Sequence, residues 1–237
     1  MLLALDTSTR YASVTLADED RVVASRAWHS KINHTAELMP AVVQVLESRG
    51  LTAKQLEGVA VALGPGGFSA LRVGISVAKG LALVAKIPII GIGTLDLEAY
   101  AYLKSGIPVC SLLEAGREEC ATALYGPDGV RLRDDRVCSA EDLVAEVADR
   151  ASGPAIFCGE GITGWEDAIG GALGAKAQIV RPVPAARGWA LALIAREKLI
   201  SGETGDLITL QPEYLRMPSI GVPKQRDRVA QTGRRNR

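Results

Sequence analysis

A mixed α/β protein built as two successive lobes is the fold class this sequence predicts, and three observations predict it. Short apolar or alternating runs are interleaved with segments of helical spacing. The same order of elements begins again after Ser105-Gly106. At 237 residues, 48% of them hydrophobic, the chain can bury a core in each half without disulfides or metals. Residues 1–105 are therefore expected to form an N-terminal lobe and residues 106–216 a C-terminal lobe, each a mixed sheet covered by helices.

In the first half, Leu2–Asp6 and Ala12–Ala17 read as strands joined by the polar turn Thr7-Ser8-Thr9-Arg10, and Arg21–Trp28 as a third strand. Asn33 is a helix N-cap, after which Leu38, Val42, Val45 and Leu46 recur at helical spacing until Gly50. Pro40 lies inside that helix and is expected to bend it. Thr52 and Gln55 form a capping box for a short helical turn. Val59–Leu63 is a buried strand, Gly64-Pro65-Gly66-Gly67 a loop, and Ser69 to Ala85 a long helix. Pro88–Ile92 and Thr94–Leu103 add a strand and a helix.

The second half repeats the order. Pro108–Leu113, Cys120–Tyr125 and Gly129–Val137 read as strands, Ala140–Arg150 as a helix, Ala155–Gly159 as a strand and Ala185–Ser201 as a long helix. Both halves thus read βββαβα, with no residue-level repeat. Residues 217–237 carry six basic side chains, from Lys224 to Arg237, against Asp227 and little apolar periodicity, and are expected to form a flexible basic tail.

Charge and composition narrow the function. The 27 basic and 27 acidic residues balance, which argues against attraction of the whole surface to nucleic acid or an anionic membrane. Cys110, Cys120, Cys138 and Cys158 include no pair at metal-ligand spacing and read as reduced, buried thiols of a cytoplasmic protein. The N-terminus has no basic start and no long apolar region, so no signal peptide is expected. The stretch from Val73 to Ile92 is interrupted by Lys79, Lys86 and Pro88 and makes a poor membrane span.

No catalytic set emerges. His29 and His34 are five residues apart, which would turn the rings about 140° from each other on a helix, so no metal site is expected. Asp6-Thr7-Ser8 resembles the hairpin turn that two-lobed ATPases and sugar kinases offer to nucleotide phosphates, and it is equally good hairpin chemistry without a ligand. The corresponding turn of the second half, Glu114-Ala115-Gly116-Arg117-Glu118-Glu119, has one glycine and a crowd of long charged side chains, which would hold the backbone away from phosphate while the acids repel it. The loop Gly64–Gly67 leads into a helix start but lacks the lysine of a P-loop. Within that helix Ala70, Gly74, Ala78 and Ala82 fall at intervals of four. The stripe has almost no bulk, so it can receive another helix, from this chain or from a partner. If Leu71, Ile75 and Leu81 pack inward, the stripe is left for a partner.

Three segments carry a family resemblance: Leu2–Thr9, the run His34-Thr35-Ala36-Glu37-Leu38-Met39-Pro40, and above all Gly64 to Gly80. With Pro212-Glu213-Tyr214-Leu215-Arg216 near the end, the sequence resembles the TsaB family, bacterial proteins also described as inactive homologues of the metal-dependent glycoproteases. It departs from the family pattern at Gly67, Ser69 and Ala70, where Ser, Thr and Gly are usual. Glu114-Ala115-Gly116-Arg117 likewise stands in place of Asp-Ala-Arg.

The resemblance implies an actin-like ATPase fold of two RNase H-like lobes without transferase activity or a cofactor of its own. It implies a TsaD-like partner that carries the metal, a TsaE-like ATPase, and a complex, where ATP would bind, that makes N6-threonylcarbamoyladenosine at position 37 of tRNAs reading ANN codons. The tRNA would be met through that complex, and the subunit alone could form a homodimer. The partner surface is expected on the two helices bearing the matched motifs, at His34, Leu38, Ala70, Arg72, Gly74, Ala78 and Ala82. The alternative is a self-sufficient phosphotransferase or glycoprotease-like peptidase working from Asp6 and the glycine loops.

Overall fold

The computed structural model describes residues 1–31, 33–150 and 153–216. The basic tail expected over residues 217–237 lies outside the described residues.

The first sheet opens with three antiparallel strands, β1 (Leu2–Asp6), β2 (Tyr11–Asp18) and β3 (Arg21–His29). Helix α1 (His34–Glu47) follows, capped by the Asn33 side chain, which accepts from the Thr35 N–H at 3.1 Å. The Thr52–Gln55 capping box is present around a 3₁₀ turn. Strands β4 (Gly58–Gly64) and β5 (Ile89–Gly93), joined by α2 (Phe68–Ala85), lie parallel to β1. The sheet order is β3-β2-β1-β4-β5. Strand β1 is buried at all five positions because helices cover both faces of the sheet.

After α3 (Thr94–Ala99) the plan repeats with β6 (Val109–Gly116), β7 (Glu119–Tyr125), β8 (Arg136–Cys138), α4 (Ala140–Arg150), β9 (Ala155–Cys158), α5 (Ile162–Leu173), β10 (Ala177–Ile179) and α6 (Ala186–Ser201). The second sheet runs β10-β9-β6-β7-β8, the same arrangement as the first. Two RNase H-like lobes in tandem make the actin-like ATPase fold.

The elements differ from expectation in three places. Strand β8 is three residues long, because the chain first turns back at Gly126–Gly129 and Arg131 bridges to Tyr125. Helix α5 and strand β10 were not expected. Ile162, Trp165 and Ile169 are spaced as a buried helical face, but Gly164, Gly170, Gly171 and Gly174 dilute the propensity of the segment. The helix expected over 94–103 ends at Ala99 and continues as a 3₁₀ turn.

Helices α1 and α2 lie side by side on one face of the first sheet, where Leu38, Val42, Ile75, Ala78 and Ala82 meet Leu3, Leu5, Val14 and Val61. Helix α6 covers the other face, with Ala190, Leu191 and Ala195 against Leu2, Ala4, Ala60 and Ile90. At Gly188 a Cβ would stand 2.5 Å from Ser13 Oγ, so only glycine lets α6 approach β2 this closely. Helix α3 lies between the sheets, Leu97 facing the first core while Leu95 and Ala99 face the second.

Beyond α6, Gly205 bridges to Ile89, and the Glu213 N–H donates to Leu63 O at 2.8 Å. Ser105 and Gly106 lie between β5 and β6, whereas α6 and the segment bearing Gly205 and Glu213 pack on the first sheet. Among the described residues α2 alone is long and apolar enough to cross a membrane, with a mean hydropathy of 1.5. Its Leu71, Gly74, Ile75, Ala78 and Ala82 are buried against the rest of the protein.

Candidate functional site

The turn after β1 is where the two lobes meet. Asp6, Thr7 and Ser8, the residues that could have faced a nucleotide, are buried and fully engaged within the protein. Asp6 Oδ1 accepts from the Ser8 N–H at 2.8 Å and from Ser8 Oγ at 2.6 Å. Asp6 Oδ2 accepts from Arg187 Nε at 2.8 Å. Thr7 Oγ1 donates to Ala70 O at 2.7 Å. The side-chain oxygens of this turn are thus paired within the chain, as in a hairpin turn that holds no ligand.

Arg187 rises from α6 into this turn and is 1% exposed, although guanidinium groups are almost never fully buried without partners. Each of its five N–H donors has an acceptor. Nε meets Asp6; Nη1 meets Glu98 Oε1 at 2.9 Å and also Glu160; Nη2 meets Thr9 Oγ1 and Tyr11 O, both at 2.8 Å. Thr9 Oγ1 in turn donates to Glu160 Oε1 at 2.9 Å. Glu160 stands in the turn after β9, so the cluster ties the second lobe to the first.

Three carboxyls surround one guanidinium. Burial alone would lower the Arg187 pKa, but Asp6, then Glu98 and Glu160, outweigh it and hold the group above its ordinary value. Burial pushes Glu98 up, Arg187 opposes that, and the neighbouring Glu160 and Asp6 reinforce it. Sequence reading missed Arg187, Glu98 and Glu160. A signal existed for the first: Arg187, Leu191 and Ala195 follow at intervals of four, which places an arginine on the buried stripe of α6.

The same turn supports both partner-candidate helices. His34 Nε2, at the start of α1, donates to Thr9 O at 3.0 Å. The start of α2 is held by the Thr7–Ala70 bond and by the Gly67 N–H donating to Ser8 O at 2.8 Å. The glycine loop serves this approach, since a Cβ on Gly66 would lie 2.2 Å from Ser8 O. Arg72 leans over the Phe68 ring, 4.0 Å from its centroid, and its Nε donates to Tyr214 Oη at 3.1 Å. The glycine motif and the Pro212–Arg216 motif, far apart in sequence, therefore touch.

A cleft of about 360 Å³ beside the turn is lined by Ser8, Thr9, His34, Gly67, Glu114 and Glu160. It shares Gly66, Gly67, Leu113 and Glu114 with a groove of about 750 Å³ that includes Phe68, Arg117, Tyr214 and Arg216. The hairpin from the second lobe turns through Arg117 and Glu118, both with positive φ, and presents exposed charges where a phosphate loop would need glycines. His29 packs edge-on against Tyr11, 4.8 Å between centroids, so the two histidines are engaged separately. The four cysteines are free and buried, and burial pushes the Cys120 thiol up to about 12.

The small stripe needs a correction. Gly74, Ala78 and Ala82 face this protein's own first sheet, together with Leu71 and Ile75, and Leu38 is likewise buried. A Cβ on Gly74 would meet Thr7 Oγ1 at 2.4 Å. Both the bulky and the small positions point inward because they fall on one broad arc of the helix. Of the residues expected at an interface, His34 and Ala70 are half-buried and Arg72 is exposed. The accessible face of α2 is instead Ser69, Arg72, Ser76, Gly80, Leu83 and Val84, and Met39 and Val43 are exposed on α1. A Cβ on Gly80 would meet nothing within 4 Å. The exposed fractions of Met39, Val43, Leu83 and Val84 are 42%, 45%, 65% and 74%.

The family model described as TsaD, tRNA N6-adenosine threonylcarbamoyltransferase, matches residues 22–159. The chain is similar to the tRNA threonylcarbamoyladenosine biosynthesis protein TsaB of Bacillus subtilis, at 31% identity over 91% of this chain and 94% of that protein. It is similar to Escherichia coli TsaB at 30% identity with the same coverage. Among solved structures, YeaZ from Pseudomonas aeruginosa matches with a TM-score of 0.71 and 26% identity, covering 90% of this chain and 99% of that one.

Proposed function

The chain belongs to the family that the TsaD model describes and, within it, to the TsaB proteins, and from that membership we propose that it is the non-catalytic subunit that binds a TsaD-like partner. The reaction served is the formation of N6-threonylcarbamoyladenosine at position 37 of tRNAs reading ANN codons, in the cytoplasm. A TsaE-like ATPase completes the assembly, ATP acts in the complex and not at a site of this subunit, and tRNA is met through the complex. Alone, the subunit forms a homodimer through the same face.

One observation carries this reading. Helices α1 and α2 pack side by side and leave Met39, Val43, Leu83 and Val84 exposed, with Ser76 and Gly80 also exposed on α2. Exposed apolar side chains on two neighbouring helices, with small residues beside them on α2, suit close packing of a partner's helices. The alternative of a self-sufficient phosphotransferase finds no support at Asp6, whose oxygens are taken by Ser8 and Arg187.

The test is gel filtration of the full chain with the TsaD-like subunit of the same organism, followed by an assay of tRNA modification in the reconstituted mixture. A stable complex is expected, with modification requiring both subunits and no ATP hydrolysis by this chain alone. Separate elution of the two proteins, or ATP turnover by the isolated chain, would overturn the reading.

A further inference from the structure

The cluster around Arg187 does more than fill a gap between lobes. It gathers an acid from the end of β1, an acid from α3 and an acid from the turn after β9, and supplies their cation from α6. It also touches the turn from which α1 and α2 are hung. Arg187 Nη2 bonds Thr9 Oγ1, and the carbonyl of the same Thr9 accepts from His34 at the start of α1. Asp6 bonds Arg187 on one oxygen and Ser8 on the other, and Ser8 O accepts from Gly67 at the start of α2.

We propose that Arg187 is a resident cation of the interlobe cleft, which holds the β1–β2 turn against the second lobe and so sets the positions of α1 and α2 without a bound ligand. The energetic argument is one of satisfaction. A buried guanidinium with every donor matched is stable, whereas removing it leaves three carboxyls facing one another, two of them, Asp6 and Glu98, shielded from water. The turn must then loosen, the acids must take up protons, or a small cation must enter. In each case the contacts at Thr9 and Ser8 that reach the two helices lose their anchor. The effect on partner binding rests on the function proposed above; the effect on the turn does not.

The experiment uses the full chain with Arg187→Ala, and ethylguanidinium as a probe that can refill the emptied space. Amide hydrogen exchange over residues 8–11, 34–37 and 67–71 is expected to speed up by about tenfold or more, while exchange in β1 and β4 is little changed. Millimolar ethylguanidinium should reverse much of that change by binding the folded state, and tetramethylammonium, which cannot donate hydrogen bonds, should not. Affinity for the TsaD-like subunit should fall by about tenfold and recover with ethylguanidinium. A folded variant with the exchange pattern of the parent would overturn the proposal.

Should Arg187→Ala fail to fold, Thr9→Val cuts the bonds of Thr9 Oγ1 to Arg187, Glu160 and the Tyr11 N–H at a half-exposed position and leaves the three ion pairs intact. Exchange over residues 34–37 should then rise about threefold, and an unchanged rate would equally overturn the proposal. If the parent chain itself does not bind the TsaD-like subunit, the proposed function fails, while the exchange data still decide the role of Arg187.

Discussion

The helix pairs α1–α2 and α4–α5 occupy the same place in two lobes of identical strand order, and they treat solvent in opposite ways. Each pair packs one apolar face on its own sheet. Outward, α4 and α5 carry Glu141, Asp142, Asp149, Arg150 and Asp167, and none of the large exposed apolar side chains lies on them. Outward, α1 and α2 carry Met39, Val43, Leu83 and Val84. The second lobe acts as an internal control. The fold is satisfied by a charged outer surface, so the apolar one on the first lobe answers some other requirement, and covering by the proposed partner would meet it.

The largest effect should come from making the first pair resemble the second. Replacing Leu83 and Val84 together by Glu leaves the core untouched, so stability should change by less than about 0.5 kcal/mol per site. Affinity for the TsaD-like subunit should fall by about a hundredfold, because charges would be desolvated in an apolar contact. Gly171→Arg on the outer surface of α5, where a Cβ would meet nothing within 4 Å, is the matched control and should leave affinity unchanged. Titration calorimetry on the three proteins decides the point. Equal loss with Gly171→Arg, or no loss with the Glu pair, would break the comparison.

A second, smaller effect separates the inner and outer faces of α2. Gly80→Ala should raise stability by about 0.5–1 kcal/mol, because the new methyl sits in open space and restricts the unfolded chain. Gly74→Ala should lower it by about 1–2 kcal/mol despite the same gain in helix propensity. Its methyl strikes Thr7 Oγ1 and must break the bond to Ala70. Urea denaturation midpoints should move in opposite directions, and Thr7→Ala should relieve much of the Gly74→Ala loss. Parallel shifts would mean that the two glycines share one environment.

That pair of glycines also shows how much the sequence disclosed. Spacing alone revealed the elements of the first lobe, the restart after Ser105, the Asn33 cap and the special character of α2. It could not say which side of α2 faces the sheet. Leu71 and Ile75 share the buried arc with Gly74 and Ala78, so size and burial do not divide the helix between them. The turn at Asp6 was visible as a candidate site, but its occupant was 181 residues away, beyond the reach of local pattern. Nothing local distinguishes Glu98 or Glu160 as an acid that will face a buried arginine. Helix α5 was hidden for the opposite reason, its glycines masking a correct apolar spacing.

The charged character of the second helix pair gives the last and smallest effect, one that acid should reveal. Glu146 of α4 accepts from Arg133 Nε at 2.9 Å and from Arg136 Nη2 at 2.7 Å, and lies 3.2 Å from Arg150. Burial opposes its ionisation, but the Arg133 hydrogen bond and the three guanidinium charges prevail and hold its carboxyl below the usual range. A lowered folded pKa means that the unfolded chain binds the proton more readily. The stabilisation is therefore complete above the ordinary glutamate range and is lost as pH falls through the folded value. Glu146→Gln should cost about 1 kcal/mol at neutral pH, with the side chain only partly shielded from solvent. The difference between variant and parent should shrink toward zero as the pH is taken below 4. Affinity for the TsaD-like subunit, which the proposed function assigns to the other pair, should be the same for both proteins at neutral pH. A stability difference that persists in acid would show that Glu146 acts by packing and not by charge.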